Sequence, residues 1–387
     1  MSRRQLLLLL CALLFILNFS FSQESSSDSV ATWDPKIDDT IFPAVILSTS
    51  SLQGMKSDVI GDPHSVVGIV IKPHVPNARV HVEVRVDGLS ESSSYDATLG
   101  EVNQQYTVAP TVRFDTRKLV ALEQPVPTTV VFSVKVNGAD LGQKTKQVQV
   151  RAVNDVPFLV TDSQGHAKDV SPLFAAFVNE NSPVIEEILK EALQWNSVKN
   201  FSGYQGSAAD VEMQVFAVWN VLQRHQVKYS SITTASGFSD TIHSQTVRFV
   251  DDTWRMNQAN CVDGSVLFAS VLYKIGIFPV LVKLPSHMFV GYYTDGKSYG
   301  TLQNLQFLET TLVGAGHQPT LMKNVGFNPL LHPVRGSQSY SQFVQAVNYG
   351  NQEFEKEVLP ALQKRVAGYL LIDVRRARQA GITSISH

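Results

Sequence analysis

The chain has 387 residues, with 32 basic against 34 acidic side chains, 44% hydrophobic and 17% charged residues. So even a balance argues against nucleic acid or an anionic membrane surface as the main partner. The apolar content suffices for a sizeable core, and the length suggests two domains.

Residues 1–22 read as a secretory signal. Arg3 and Arg4 form its positive start, Leu6 to Leu17 its apolar run, and Ser20 and Ser22 the small residues before cleavage. Its removal takes away Arg3, Arg4 and Cys11 and leaves 30 basic against 34 acidic side chains. No later stretch approaches about 18 apolar residues in a row, so no transmembrane segment is expected in the mature chain. Cys261 is then the single thiol, and no internal disulfide is possible. An unpaired cysteine in an exported protein is either buried and inert or retained for its reactivity.

Residues 23–57 begin polar and Ser-rich and are expected to form a disordered or linker segment. Over 58–155, segments such as SVVGIVIKP, ARVHVEVRVDG, PTVRFDT, TTVVFSVKVNG and KQVQVRAV alternate apolar and polar residues. Turn signals separate them at Pro76-Asn77, Asp87-Gly88 and Asn137-Gly138. Period-two strands at this spacing predict a β-sandwich of immunoglobulin-like type, although no Cys…Trp…Cys core is present. No chemical motif converges in it, which reads as a spacer or binding module.

A second domain is expected over 172–387. Pro183 opens a helix carrying Glu186 and Glu187 near its positive end, and a second helix runs from about Ala208 to Gln226. Trp195 and Trp219 read as core. Residues 230–258 look irregular and long enough to be a functional loop. NCVDGSVLFASVLYKIGI then predicts a buried helix stopping at Gly276, followed by strands FPVLVKL, HMFVGYYTD and LQFLETT, with Asp295-Gly296 as a hairpin signal.

Cys261 falls where this loop meets the helix, and a helix N-terminus stabilises a thiolate. His287 opens a strand and Glu309 ends the next one. Adjacent antiparallel strands would set an imidazole beside the thiol and a carboxylate beside the imidazole, the arrangement of an activated nucleophile. Asp263 reads as a cap of the helix start rather than as chemistry, and Asp295, a rival third member, as a turn residue. The ten histidines show no HExxH or paired-ligand spacing, so neither metal nor cofactor is expected.

The stretches NCVDGSVLFASVLYKIGI, PVLVKLPSHMFVGYY and FLETT resemble the transglutaminase-like superfamily, whose fold is papain-related, over about residues 180–380. The tail YLLIDVRRARQAGI also resembles the closing segment of a bacterial branch. The resemblance implies an α+β fold, with the catalytic Cys, His and acid at Cys261, His287 and Glu309. It implies an exported thiol enzyme acting on amide bonds of a protein or peptide, a cell-envelope peptide among them, in the periplasm or outside a bacterial cell. An oxyanion donor is expected near the Cys261 N–H, with Gln258 the first candidate and Trp254 the second, from proximity. Ser286 and Met288 replace the Gly and small residue usual around the histidine, and Glu309 replaces the commoner Asp. No aromatic residue follows Cys261 and no acidic calcium loop is apparent, which favours hydrolysis over cross-linking. The alternative is a catalytically silent envelope scaffold that keeps the fold.

Overall fold

The structure, a computed structural model, describes residues 30–52, 58–162, 165–230, 241–314 and 337–386. The signal over 1–22 lies outside the described residues. The first half runs β1 (Ala31–Lys36), β2 (Thr40–Ile41), helix α1 (Pro43–Thr49), β3 (Val59–Gly61), β4 (Gly68–Pro73), β5 (Ala78–Val86), β6 (Ser93–Leu99) and β7 (Tyr106–Ala109). Helix α2 (Thr116–Val120), β8 (Val126–Val136) and β9 (Ala139–Val150) complete it.

Two sheets result, of order β1-β4-β7-β3 and β2-β9-β8-β5-β6. Val80, Val82 and Val84 of β5 and Val130, Phe132 and Val134 of β8 alternate inward and meet Ile69 and Ile71 of β4 in one core. Strand period alone dictates this, because every second side chain leaves the same face. Two expectations are corrected here. Within the lead-in over 23–57, the described residues 31–52 are structured, since Trp33 and Ile41 are buried in the same core and β1 pairs with β4. PTVRFDT forms a single bridge at Phe114 and then the start of α2, where Asp115 caps the first turn.

The second half runs β10 (Asp155–Thr161), β11 (Ala167–Asp169), α3 (Pro183–Gln194), α4 (Ala208–Arg224), β12 (Lys228–Tyr229), β13 (Ile242–Thr246), α5 (Val250–Met256), β14 (Gln258–Ala259) and α6 (Cys261–Lys274). It continues with β15 (Pro279–Lys283), β16 (Met288–Tyr293), β17 (Leu305–Leu308), α7 (Gln338–Glu353), α8 (Leu359–Gln363), β18 (Leu370–Asp373) and α9 (Val374–Ala380). The chain is therefore mixed α+β with several sheets. Since β10 pairs with β13, the second half begins near Asp155 rather than at 172. Of the expected loop over 230–258, residues 231–240 lie outside the described residues, and the rest supplies β13, α5 and β14. Trp219 is fully buried as expected, but Trp195 is exposed, with the Arg224 guanidinium 3.7 Å over its ring.

An antiparallel sheet of order β17-β16-β15-β18 carries α6 against it, with Val266 and Leu267 of the helix and Leu281 and Val290 of the strands in one core. A smaller sheet, β11-β10-β13, stands alongside. No helix among the described residues is long and apolar enough to cross a membrane.

Helix α1 ties the halves together. Leu47 packs against the cores of both. The Thr383 N–H donates to the Ser48 carbonyl at 2.9 Å, and its hydroxyl donates to that of Leu47 at 3.2 Å. Gly381 ends α9 at φ +103, and a Cβ there would collide with the Ser51 carbonyl, so this approach requires glycine. Half-buried Leu47 shortened to Ala is expected to lose about 1–2 kcal/mol. Leu47→Asp is expected to split one calorimetric unfolding transition into two, one for each half.

Candidate functional site

Cys261 is the first residue of α6, and the start of that helix is held from three sides. The Asn260 side chain accepts from the Val262 and Asp263 N–H groups at 2.8 and 2.9 Å, while Asp263 accepts from the Asn260 N–H at 3.1 Å. This reciprocal box satisfies donors that a helix start leaves open. Asp263, 1% exposed, also accepts from the Arg248 N–H at 2.7 Å and its guanidinium at 3.2 Å. Burial pushes the Asp263 carboxyl above its usual range despite those bonds. Its expected capping role is observed, and it acts from the third position of the helix, with Asn260 as the N-cap. The Cys261 N–H has no hydrogen-bond acceptor among the described residues. The thiol itself is half-buried.

His287 closes the tight turn between β15 and β16, where Leu284 N–H donates to its carbonyl at 2.9 Å. Its Nε2 lies 2.7 Å from the Glu309 carboxylate. Cys261 and His287 line the same small cavity, so the imidazole stands between the thiol's side of the site and the acid. Burial pushes the imidazolium down, but the hydrogen bond to Glu309 and the proximity of Glu309 and Cys261 outweigh it and raise the His287 pKa to about 10. Glu309 follows β17, whose Leu308 pairs with Val290 of β16, and this register brings acid and imidazole together. The carboxylate is 2% exposed and fully engaged: the Thr311 N–H and hydroxyl donate to its second oxygen at 2.9 and 2.6 Å. Gly264 lets Thr310 approach α6, since a Cβ there would stand 3.1 Å from the Thr310 hydroxyl. Asp295 is a turn residue, accepting from the Lys297 and Ser298 N–H groups in an eleven-residue β16–β17 connection rather than a two-residue hairpin.

The two oxyanion candidates are not brought to this point. Gln258 is exposed on β14 and its carbonyl accepts from Arg248. Trp254 is buried against His225, with ring centroids 3.7 Å apart. Neither side chain is among those lining the cavity beside the thiol. A cavity of about 90 Å³ beside the thiol is lined instead by Phe158, Phe174, Gln245, Lys283 and His287. Of these, sequence reasoning named His287 and missed Phe158, Gln245 and Lys283, which arrive from β10, β13 and β15, and Phe174, from the short turn Ser171–Phe177. Tyr229, half exposed on β12, has its phenol pushed up by partial burial and by facing Cys261 and Glu309. Among the described residues, no group of three His, Cys, Asp or Glu side chains has metal-binding geometry.

Compared with known proteins, the chain matches no family model and no curated protein.

Two outcomes follow from this geometry. Asp263→Ala takes from Arg248 its buried carboxylate and opens the helix start, and is expected to destabilise by about 3–5 kcal/mol. Denaturant unfolding would test this, with Arg248→Met/Asp263→Asn losing less than the sum of the single changes. The second concerns pH. A folded pKa near 10 against an unfolded value of about 6.5 stabilises the fold fully below pH 6.5 and loses that contribution as pH rises towards 10. The melting-temperature gap between wild type and His287→Phe is therefore expected to shrink steadily from pH 6.5 to 10.

Proposed function

We propose that the chain is an exported thiol enzyme that hydrolyses amide bonds of a protein or peptide, with Cys261, His287 and Glu309 as its catalytic residues. In this reading the second half is a transglutaminase-like, papain-related domain and the first an immunoglobulin-like sandwich. The single observation that carries it is the imidazole of His287, which shares a cavity with the Cys261 thiol and is bonded to a buried, locked carboxylate. Cys261 is also half-buried rather than sealed in the core, which favours an enzyme over a silent scaffold.

The Cys261 thiolate attacks the amide carbonyl carbon, forming an S–C bond. The oxyanion is taken by the free Cys261 N–H, and Gln245 at the cavity wall is the second donor in place of Gln258 or Trp254. His287 gives its proton to the departing amine as the C–N bond breaks. It then takes a proton from water, whose oxygen attacks the thioester and returns the thiolate. Glu309 stays ionised and keeps the imidazole oriented through both steps. Hydrolysis is preferred over transfer to an amine, because water reaches a half-exposed thiol at far higher concentration.

Iodoacetamide labelling of the mature protein tests this reading, because Cys261 is its only thiol. Wild type is expected to label rapidly at pH 6, and His287→Ala to label about tenfold more slowly or worse there. Cys261→Ser should take no label. Wild-type labelling that rises only above about pH 8, as for an ordinary thiol, whatever stands at 287, would overturn the proposal and leave the scaffold reading.

A further inference from the structure

We propose that Lys283 binds a carboxylate carried by the substrate beside the scissile carbonyl, so that the preferred amide is one with an acidic neighbour. This deepens the amide-hydrolase reading and rests on it. Lys283 is the last residue of β15, directly opposite Met288 of β16, and it lines the same cavity as Cys261 and His287. Leu281, two residues earlier on the same face, packs into the core under α6. Strand alternation thus calls for an apolar side chain at 283, and a cation stands there instead.

That cation is only 6% exposed. It donates one hydrogen bond, to the Gly368 carbonyl at 3.1 Å, and its ammonium lies 5.2 Å over the Phe158 ring. No carboxylate among the described residues comes within salt-bridge distance of it, and Asp169 on β11 acts on it only from farther away. Buried cations are ordinarily paired, because burial of an unpaired charge is strongly unfavourable. An ammonium has three donors, and the two that Gly368 does not use have no partner among the described residues. A cavity joining an uncompensated cation to a nucleophile is matched by an anion on the molecule being attacked. Phe158 and Phe174, stacked with centroids 6.3 Å apart, supply the apolar wall for the rest of such a group. A carboxylate fits better than a phosphate, because one lysine presents a single charge and about 90 Å³ leaves little room.

The test uses two alkylating probes of similar size, iodoacetate and neutral iodoacetamide, on the full mature chain at pH 7. His287 attracts iodoacetate equally in wild type and in a position-283 variant, so the ratio of the two rates isolates Lys283. Lys283→Met keeps the length of the side chain and removes only the charge. The iodoacetate rate is expected to fall by about tenfold, the effect of one unit charge several ångströms from the reaction, while the iodoacetamide rate stays within about twofold. Lys283→Arg should retain most of the wild-type ratio. An unchanged ratio in Lys283→Met overturns the assignment. So does an equal fall with both reagents accompanied by a lower melting temperature, which would mark a structural lysine. Slow iodoacetamide labelling of wild type overturns the enzyme reading instead, and the ratio, read over longer times, still decides Lys283.

Discussion

The site depends on how the first turn of α6 is satisfied. A helix start exposes N–H groups that need acceptors, and in this fold Asn260 and Asp263 take all but the one on Cys261. The box holds because Asp263 is itself fixed by Arg248, whose backbone and guanidinium both donate to it. Remove any member and the helix frays from the end that carries the thiol. The same arrangement fixes Cys261 in place and leaves one donor open beside it, so structural and chemical roles meet in a single turn.

The strands supply what the helix lacks. Antiparallel register carries His287 and Glu309, 22 positions apart, to 2.7 Å, and every oxygen of the acid is engaged by His287 or Thr311. Glu309 reaches one methylene further than an aspartate, and the extra bond would ordinarily add rotational freedom. Two donors from Thr311 remove that freedom. A longer acid with a threonine clamp thus reaches the same rigidity as a shorter acid without one.

Much of this was legible. Helix-Cys, strand-His, strand-acid could be read in order because each element has a clear period and each candidate sits at an element end. Several N-terminal strands were readable for the same reason, but not β1 and β2, where Ser-rich composition outweighed Trp33 and Ile41, and PTVRFDT alternates without forming a strand. The oxyanion candidates were misplaced because neighbours in sequence diverge once α5 intervenes. Gln245 and Phe158 were invisible because they reach the thiol only through the pairing of β10 with β13. Lys283 was passed over as the end of an apolar strand, since a pattern that tolerates one charge does not say whether that charge is buried.

Burial changes what each charge near the thiol can do. Glu309 is buried and saturated, so its negative charge is spent on orienting His287 and is screened little by water. Asp263 is equally buried but belongs to the helix cap, with Arg248 opposite it. Lys283 is a buried charge that no opposite charge among the described residues contacts. Replacing it by an apolar residue should not weaken the fold, because a well-packed methionine avoids the desolvation penalty of an unpaired ammonium. A buried charge at the wall of the Cys261 cavity, held by one backbone carbonyl, is a costly choice for a strand position that an apolar side chain would fill.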